Sequence, residues 1–320
     1  MTDAEFDVVY TWVDDSFPGY LDELNRYSAD KRDLNPNRTR DNLDLIRYSM
    51  RSVAKHLPQA RRIYLLTCRP QVPPWLDAAH PKIRVVHHDQ VMAPEILPTF
   101  SSFAIVSHLH MLPGLARRFV YFEDDFLANS NALLGALLAE DGRAIVNLGR
   151  HWILPQDKLN PATSSPWNLA LAHADAVLSQ RFGPGPRRQV LHGPQMFDRE
   201  AMAAIASDYD DLFAATRNAR FRAGDGVPPE VFVPLVMAAT GAAQLAPMED
   251  ARRVEGYASL ENFLPWTWAQ LKRLDLRRPL SIALNDSFGA RPNPRVERLV
   301  RGWLQAKFPD AAPWEKTHPA

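Results

Sequence analysis

Three carboxylates in a row, Glu123-Asp124-Asp125, interrupt an apolar stretch between Phe119-Val120-Tyr121-Phe122 and Phe126-Leu127. A short apolar run with aromatic and β-branched residues reads as a buried central strand. In an open α/β sheet, ligands collect beyond the carboxyl ends of such strands. Carboxylates there are costly to desolvate unless something pairs with them. A divalent cation on a phosphorylated substrate is one such partner, since Mg²⁺ uses one or two carboxylates plus phosphate oxygens. The alternative is a solvated acidic turn after an ordinary strand. Two further strand-like runs end in comparable groups: Val8 to Val13 in Asp14-Asp15, and Leu280 to Leu284 in Asn285-Asp286. In a parallel sheet these ends share one edge, and that convergence is what a metal–nucleotide site requires.

Other residues have suitable chemistry and weaker context. His192, in Leu191-His192-Gly193-Pro194 with Arg187 and Arg188 nearby, could take a proton from an attacking hydroxyl. Spacing alone favours the plainer reading, a helix-capping or partly exposed histidine. Arg220 and Arg222 could neutralise phosphate oxygens, or belong to a solvated loop. No Walker-type loop or GxGxxG follows the first strand, which argues against a P-loop kinase or a dinucleotide dehydrogenase. The absence of HExxH, CxxC and GxSxG argues against a dedicated zinc site and a serine hydrolase.

The elements that must position these groups alternate. Strands are expected over 6–13, 62–67, 83–89 and the apolar run before Glu123, with helices over 43–57 and 103–112 between them. Asp41 or Asn42 is the expected cap of the first of those helices, and Pro73-Pro74-Trp75-Leu76 opens a short helical segment. That order predicts an α/β fold with a mostly parallel central sheet and flanking helices. Beyond residue 150 the expected elements are sparser: helices near 197–206, from Pro228-Pro229 to about Thr240, and from Val296 to Phe308, with strands at 144–148 and 280–284. No Gly/Ser linker separates the halves. One compact catalytic domain over 1–320 is expected, with a nucleotide-binding core at 1–150 and a helical, loop-rich part at 151–320 completing the site.

Lys plus Arg and Asp plus Glu each number 37, so no global charge directs the 320-residue chain to nucleic acid. The single cysteine, Cys68, rules out an internal disulfide and fits a reducing compartment. No apolar run is long enough to span a membrane, and the acidic start lacks the pattern of a signal peptide. The expectation is a cytoplasmic protein, with peripheral association at the inner face of the membrane left open.

Taken together, the residues resemble a known family. Asp7-Val8-Val9-Tyr10-Thr11-Trp12-Val13-Asp14 is similar to the first conserved block of the Stealth phosphotransferases. The stretch from Arg40-Asp41-Asn42 through Ile63 to Thr67, Pro73 to Leu76 and Leu97 to Ser102, and on to Phe119 to Asp125, is similar to the second. His192-Gly193-Pro194 with Arg222 resembles the third, and Leu284-Asn285-Asp286 with Phe308-Pro309 and Trp314-Glu315-Lys316 the fourth. The resemblance implies a GT-A-like nucleotide-sugar fold. It also implies transfer of a sugar-1-phosphate from a nucleotide sugar to a glycan hydroxyl with a divalent cation, in capsular or exopolysaccharide biosynthesis. It places Asp125, His192 and Arg222 on residues regarded as essential. Three positions depart from the pattern: Val106 where Glu is frequent, Glu123 where Asn is usual, and Asp15 where Gly is usual. Either Glu123 supplies the missing carboxylate, or the substrate differs or activity is lost.

The mechanism expected on that basis has Mg²⁺ or Mn²⁺ held by Asp125 with Asp286 or Asn285, and Arg222 on the transferred phosphoryl group. His192 accepts the acceptor hydroxyl's proton. Thr11, Trp12, Asp14, Arg40, Glu123 and Asp124 contact the nucleotide sugar, with a UDP-sugar the expected donor. Two alternatives stand beside it: a glycosyltransferase using the same acidic site, and a non-catalytic glycan- or nucleotide-binding protein.

Overall fold

The structure is a computed structural model, described here for residues 5–28, 43–288 and 291–317. Arg40, Asp41 and Asn42 lie outside the described residues. In chain order the first half comprises β1 (Phe6–Thr11), α1 (Tyr20–Tyr27), α2 (Leu45–His56), β2 (Ile63–Thr67), β3 (Ile83–His87), α3 (Ser102–Ser107), β4 (Arg118–Phe122), β5 (Phe126–Ala128), α4 (Leu133–Leu137), β6 (Ala144–Val146) and β7 (Leu148–Trp152). The second half comprises α5 (Pro166–Phe182), β8 (Arg188–Val190), β9 (Gln195–Asp198), α6 (Arg199–Asp208), α7 (Asp210–Asn218), α8 (Pro229–Ala239), β10 (Ala243–Leu245), α9 (Met248–Val254), β11 (Tyr257–Leu260), α10 (Leu264–Arg277), β12 (Ser281–Asp286) and α11 (Pro294–Lys307).

The main sheet has the order β3-β2-β1-β4-β9. Its first four strands are parallel and β9 is antiparallel to β4. The carboxyl ends of β1 and β4 therefore lie side by side, with Tyr10 opposite Phe122. β1, β2 and β4 are buried almost throughout, as near-continuous apolar strands between helical layers must be. A second sheet, β11-β12-β5, starts directly after the acidic run, because β5 pairs antiparallel with β12. The main core gathers side chains from Phe6 to Trp314, and a smaller one sits between the second sheet, α10 and α11.

α2 joins the two sheets through two buried serines. Ser49 Oγ lies between the Tyr10 hydroxyl (2.9 Å) and the Phe126 carbonyl, and Ser52 Oγ accepts the Ala128 N–H at 2.8 Å. At the other end of the chain Glu315, with 1% of its side chain exposed, receives Arg47 and Arg51 at 2.6 and 2.5 Å.

The α/β class and mostly parallel sheet agree with expectation, and several local expectations do not. Pro73 to Leu76 forms a turn and no helix, because the backbone after it is taken up by the C-terminal segment: Leu76 bridges antiparallel to Glu315 and the Asp77 N–H bonds to the Trp314 carbonyl. The helix expected over 103–112 ends at Ser107 and continues as a single 3₁₀ turn at Leu109–Met111. The strand expected at 144–148 is two, because β6 pairs with β10 and β7 with β8, with Asn147 between them. Residues 197 and 198, assigned to a helix from sequence, complete β9, and Asp198 then caps α6 by accepting the N–H groups of Glu200 and Ala201. Among the described residues no helix is long and apolar enough to cross a membrane.

Candidate active site

The acidic run occupies the short connection between β4 and β5. Glu123 carbonyl accepts the Phe126 N–H, turning the chain from one sheet to the other, and Asp125 carbonyl accepts the Leu284 N–H of β12. Both carboxylates are thus presented at the seam between the sheets. His192 reaches the seam from the loop joining β8 to β9. Because Gln195 pairs with Tyr121, continuing that antiparallel register carries the loop across from Glu123 and Asp124. Gly193 keeps this approach close, since a Cβ there would meet Leu191 Cδ2 at 2.8 Å and Ser281 Oγ at 3.3 Å.

Glu123, Asp125 and His192 offer ligating atoms that all lie within 4.8 Å of one another. His192 Nε2 is 3.7 Å from Asp125 Oδ2. Its ring stands edge-on to Phe126 (centroids 4.8 Å apart) and to Tyr257 (6.1 Å), which leaves 43% of the side chain open to solvent. Burial among these rings would lower the imidazole's pKa. The Asp125 contact and the negative charges of Glu123, Asp125 and Glu230 outweigh it and lift the pKa to about 9. The open side of the ring moderates that effect through solvent screening. The Glu123 pKa is raised as well: burial, with the Asp125 charge, raises it against the lowering influence of His192 and Arg222.

Arg222 lies in the segment after α7. The segment is pinned by the Phe100 N–H to Arg220 carbonyl bond (2.8 Å) and by Phe221 stacked on Phe100 at 5.3 Å. Arg222 Nε donates to Ser102 Oγ at 2.9 Å and its guanidinium lies 5.6 Å over Phe103, so its charge acts on Glu123 and Glu230. Arg220 is engaged elsewhere, 4.2 Å over Tyr27 and bonded to Pro98 carbonyl. Arg187 pairs with Asp175 and Arg188 stacks on Trp152, so neither accompanies His192.

The remaining residues expected at the site lie at or just beyond the ends of β1, β4 and β12. At the end of β1, Thr11 Oγ1 meets the Tyr121 hydroxyl at 3.0 Å. Trp12 is buried, with an indole N–H that meets no acceptor among the described residues. Asp14 is clamped through its backbone by both ends of the Gln71 amide, and its Oδ1 accepts the Ser16 N–H. Asp124 lies between the two clustered carboxylates. Asn285 and Asp286 end β12 next door: Asn285 Nδ2 donates to the Tyr257 hydroxyl at 2.8 Å, linking it to His192 through one ring, and Asp286 stands outside the group of three. His192, assigned a proton-handling role from sequence, stands within that metal-capable group. Val106 is fully buried in α3 and has no site chemistry.

One site residue had no place in the sequence reading. Glu230, in the first turn of α8, is 5% exposed, and its pKa is raised to about 7 by burial and by Glu123, against its own backbone N–H, Arg222 and His192. The signal was present: it is the one charged residue in the run Pro228 to Thr240. A lone charge in a wholly buried helix requires a reason.

Comparison with known proteins adds to this geometry. Residues 38–144 match Stealth protein CR2, conserved region 2. An exopolysaccharide phosphotransferase of Streptomyces coelicolor is 32% identical over 97% of this chain and 57% of its own length. The capsular polysaccharide phosphotransferase SacB of Neisseria meningitidis serogroup A is 25% identical over 98% of this chain and 57% of its own. The chain thus spans little more than half the length of either. Among solved structures, the galactosyltransferase LgtC is similar in layout, with a TM-score of 0.42 and 11% identity over 94% of this chain and 96% of that one. A conserved region of the Stealth proteins thus lies across β2 to β4 and the acidic run, and the chain is similar along nearly its whole length to exopolysaccharide and capsular polysaccharide phosphotransferases.

Proposed function

We propose that this site transfers a sugar-1-phosphate from a nucleotide sugar, with a UDP-sugar the expected donor, to a hydroxyl of a capsular or exopolysaccharide glycan. The observation that carries the reading is the convergence of Glu123, Asp125 and His192 at the carboxyl edge of the sheet, with Arg222 in electrostatic range. The similarity to exopolysaccharide and capsular polysaccharide phosphotransferases supports the same chemistry.

The donor set fits a divalent cation. Two carboxylates are hard oxygen donors, Asp125 Oδ1 is buried without a partner among the described residues, and Glu123 is a buried carboxylate short of positive charge. Glu123 and Asp125 would hold Mg²⁺ or Mn²⁺, with Asp286 and Asn285 at the border. Such an ion supplies charge neutralisation on the donor pyrophosphate. The chain's own residues then divide the work. Arg222, braced by Ser102 and Phe103, faces the negative charge of the transferred group. Thr11, Trp12, Asp14, Arg40 and Asp124 contact the nucleotide sugar. Asp125, Phe126 and Tyr257 orient His192. With a cation on Glu123 and Asp125 offsetting the charges that hold the His192 proton, Nε2 would be the atom that takes the acceptor hydroxyl's proton. The acceptor O–P bond forms as the P–O bond to the nucleoside monophosphate breaks.

A place for the glycan lies along β8, the strand that leads to His192. A concavity of about 340 Å³ is lined by His151, Trp152, Asn168 and Gln189 among others, and half-exposed Trp152 forms its aromatic wall.

A panel of nucleotide sugars tests the reading, with the released nucleotide identified. Release of a nucleoside monophosphate is expected, abolished by EDTA and by Asp125→Asn at saturating Mg²⁺. Undiminished turnover by Asp125→Asn removes the site from the mechanism.

A further inference from the structure

α8 is buried from Pro229 to Met237 and apolar there except at Glu230. Two prolines, Pro228 and Pro229, start the helix and fix where this carboxylate stands. Its Oε2 is buried and meets no donor among the described residues. Unpartnered buried carboxylates are among the most costly groups a fold can carry, and native structures hold few. Nor does Glu230 belong to the trio able to share a metal ion. Its charged surroundings are Glu123 at the end of β4, Arg222 from the segment packed on α3, and His192 from the β8–β9 loop.

That setting selects the chemistry of the missing partner. A phosphate oxygen would be repelled by the carboxylate. A second cation would be crowded by the positive charges of Arg222 and His192. A neutral hydroxyl satisfies Oε2 without disturbing either balance, and sugar hydroxyls are what a nucleotide sugar or a glycan brings into this site. We propose that Glu230 is a substrate-binding residue: its bare Oε2 accepts the hydrogen bond of a sugar hydroxyl, seats that sugar against Asp125 and His192, and selects substrates carrying a hydroxyl at that position. The inference rests on the sugar-handling reading above, and does not depend on which bond of the donor is broken.

The test compares wild type, Glu230→Met and Glu230→Gln, using UDP-glucose, UDP-galactose and their N-acetylhexosamine counterparts, each also as single-deoxy derivatives. Thermal unfolding of the substrate-free proteins is measured alongside. Glu230→Met removes an unpaired charge from an apolar helix and is expected to melt at or above the wild-type temperature. Its kcat/KM is expected to fall about ten- to a hundredfold, the range for one hydrogen bond to a charged group. Glu230→Gln, which keeps a carbonyl oxygen at the same reach, is expected to recover most of that loss. Wild type should reject one deoxy derivative that Glu230→Met no longer distinguishes. If the loss is seen in donor hydrolysis by water, the hydroxyl belongs to the donor sugar; if only in transfer to glycan, to the acceptor. Equal turnover by Glu230→Met and wild type overturns the proposal, as does a lowered melting point that Glu230→Gln shares. Release of nucleoside diphosphate by wild type ends the phosphotransferase reading alone, and the variant ratios still decide the role of Glu230. If no donor is turned over, calorimetric binding of the same UDP-sugars decides it, and equal affinity of wild type and Glu230→Met is the contrary result.

Discussion

His192 and Glu230 titrate away from their ordinary values in ways that act oppositely on stability. The imidazole moves from 6.5 to about 9, so the folded state holds its proton more tightly. Its contribution is fully present below pH 6.5 and is lost as pH rises through about 9. The Glu230 carboxyl moves from 4.5 to about 7, so the folded state disfavours its ionised form. That penalty is absent below pH 4.5 and complete above about 7. Proton NMR of His192 in metal-free protein should therefore show a midpoint near 9, and Mg²⁺ should lower it by occupying the carboxylates that hold the proton. A metal-free midpoint at the ordinary histidine value, or one indifferent to Mg²⁺, contradicts the arrangement. His192→Ala should reduce turnover about 10²–10⁴-fold, the usual span for losing an acid–base group, without changing the nucleotide released. Retention of full turnover would exclude the role. Spacing alone favours ordinary loop positions for His192 and Arg222, and only the family pattern favours chemistry. The reason is physical: what distinguishes them is the register of β9 on β4 and the Ser102 anchor on α3, both made by residues some 70 to 120 positions away. The acidic run was legible because its expense is local, three carboxylates against a buried strand.

At the scale of elements, the site depends on α2 and on the segment around Glu315 that braces it. Ser52→Ala leaves the Ala128 N–H of β5 without its acceptor and should cost about 1–3 kcal/mol in denaturant unfolding. Glu315→Ala leaves Arg51 buried without its carboxylate and should cost about 3–5 kcal/mol. A loss under 1 kcal/mol would mean that Glu315 is a surface contact and no brace. Glu315 also sets a lower pH limit: burial would raise its pKa, but Arg51, Ala312 N–H and Arg47 prevail and lower it. Its stabilisation is therefore present above pH 4.5 and fades as pH falls through the depressed value. The strands and helices of the first 125 residues could be read from alternating apolar runs because each buries one clear face or lies wholly inside. α5 escaped that reading although it is 17 residues long. Its buried positions are mainly alanines, Ala170, Ala172 and Ala174, with Leu171 and Leu178, so no single large-residue stripe announces it. α10 misleads in the opposite sense: it exposes Leu264, Trp266, Trp268 and Leu276 while burying Thr267.

At the scale of the whole molecule, equal numbers of acidic and basic residues leave no net charge to steer an anion, so the proposed binding of a nucleotide sugar would rest on local charges. The local balance at the seam is three carboxylates, Glu123, Asp125 and Glu230, against two cations, His192 and Arg222. That surplus suits a cation-dependent reaction, and it accounts for grouping residues from β4, the β8–β9 loop, the segment after α7 and α8 at one seam. The direct measurement is the fate of the donor's β-phosphorus. A UDP-sugar labelled there is incubated with the protein and Mg²⁺ in the absence of glycan, so that water stands in for the acceptor. Phosphoryl transfer at this site yields labelled sugar-1-phosphate and unlabelled UMP; label recovered in UDP beside free sugar would contradict it.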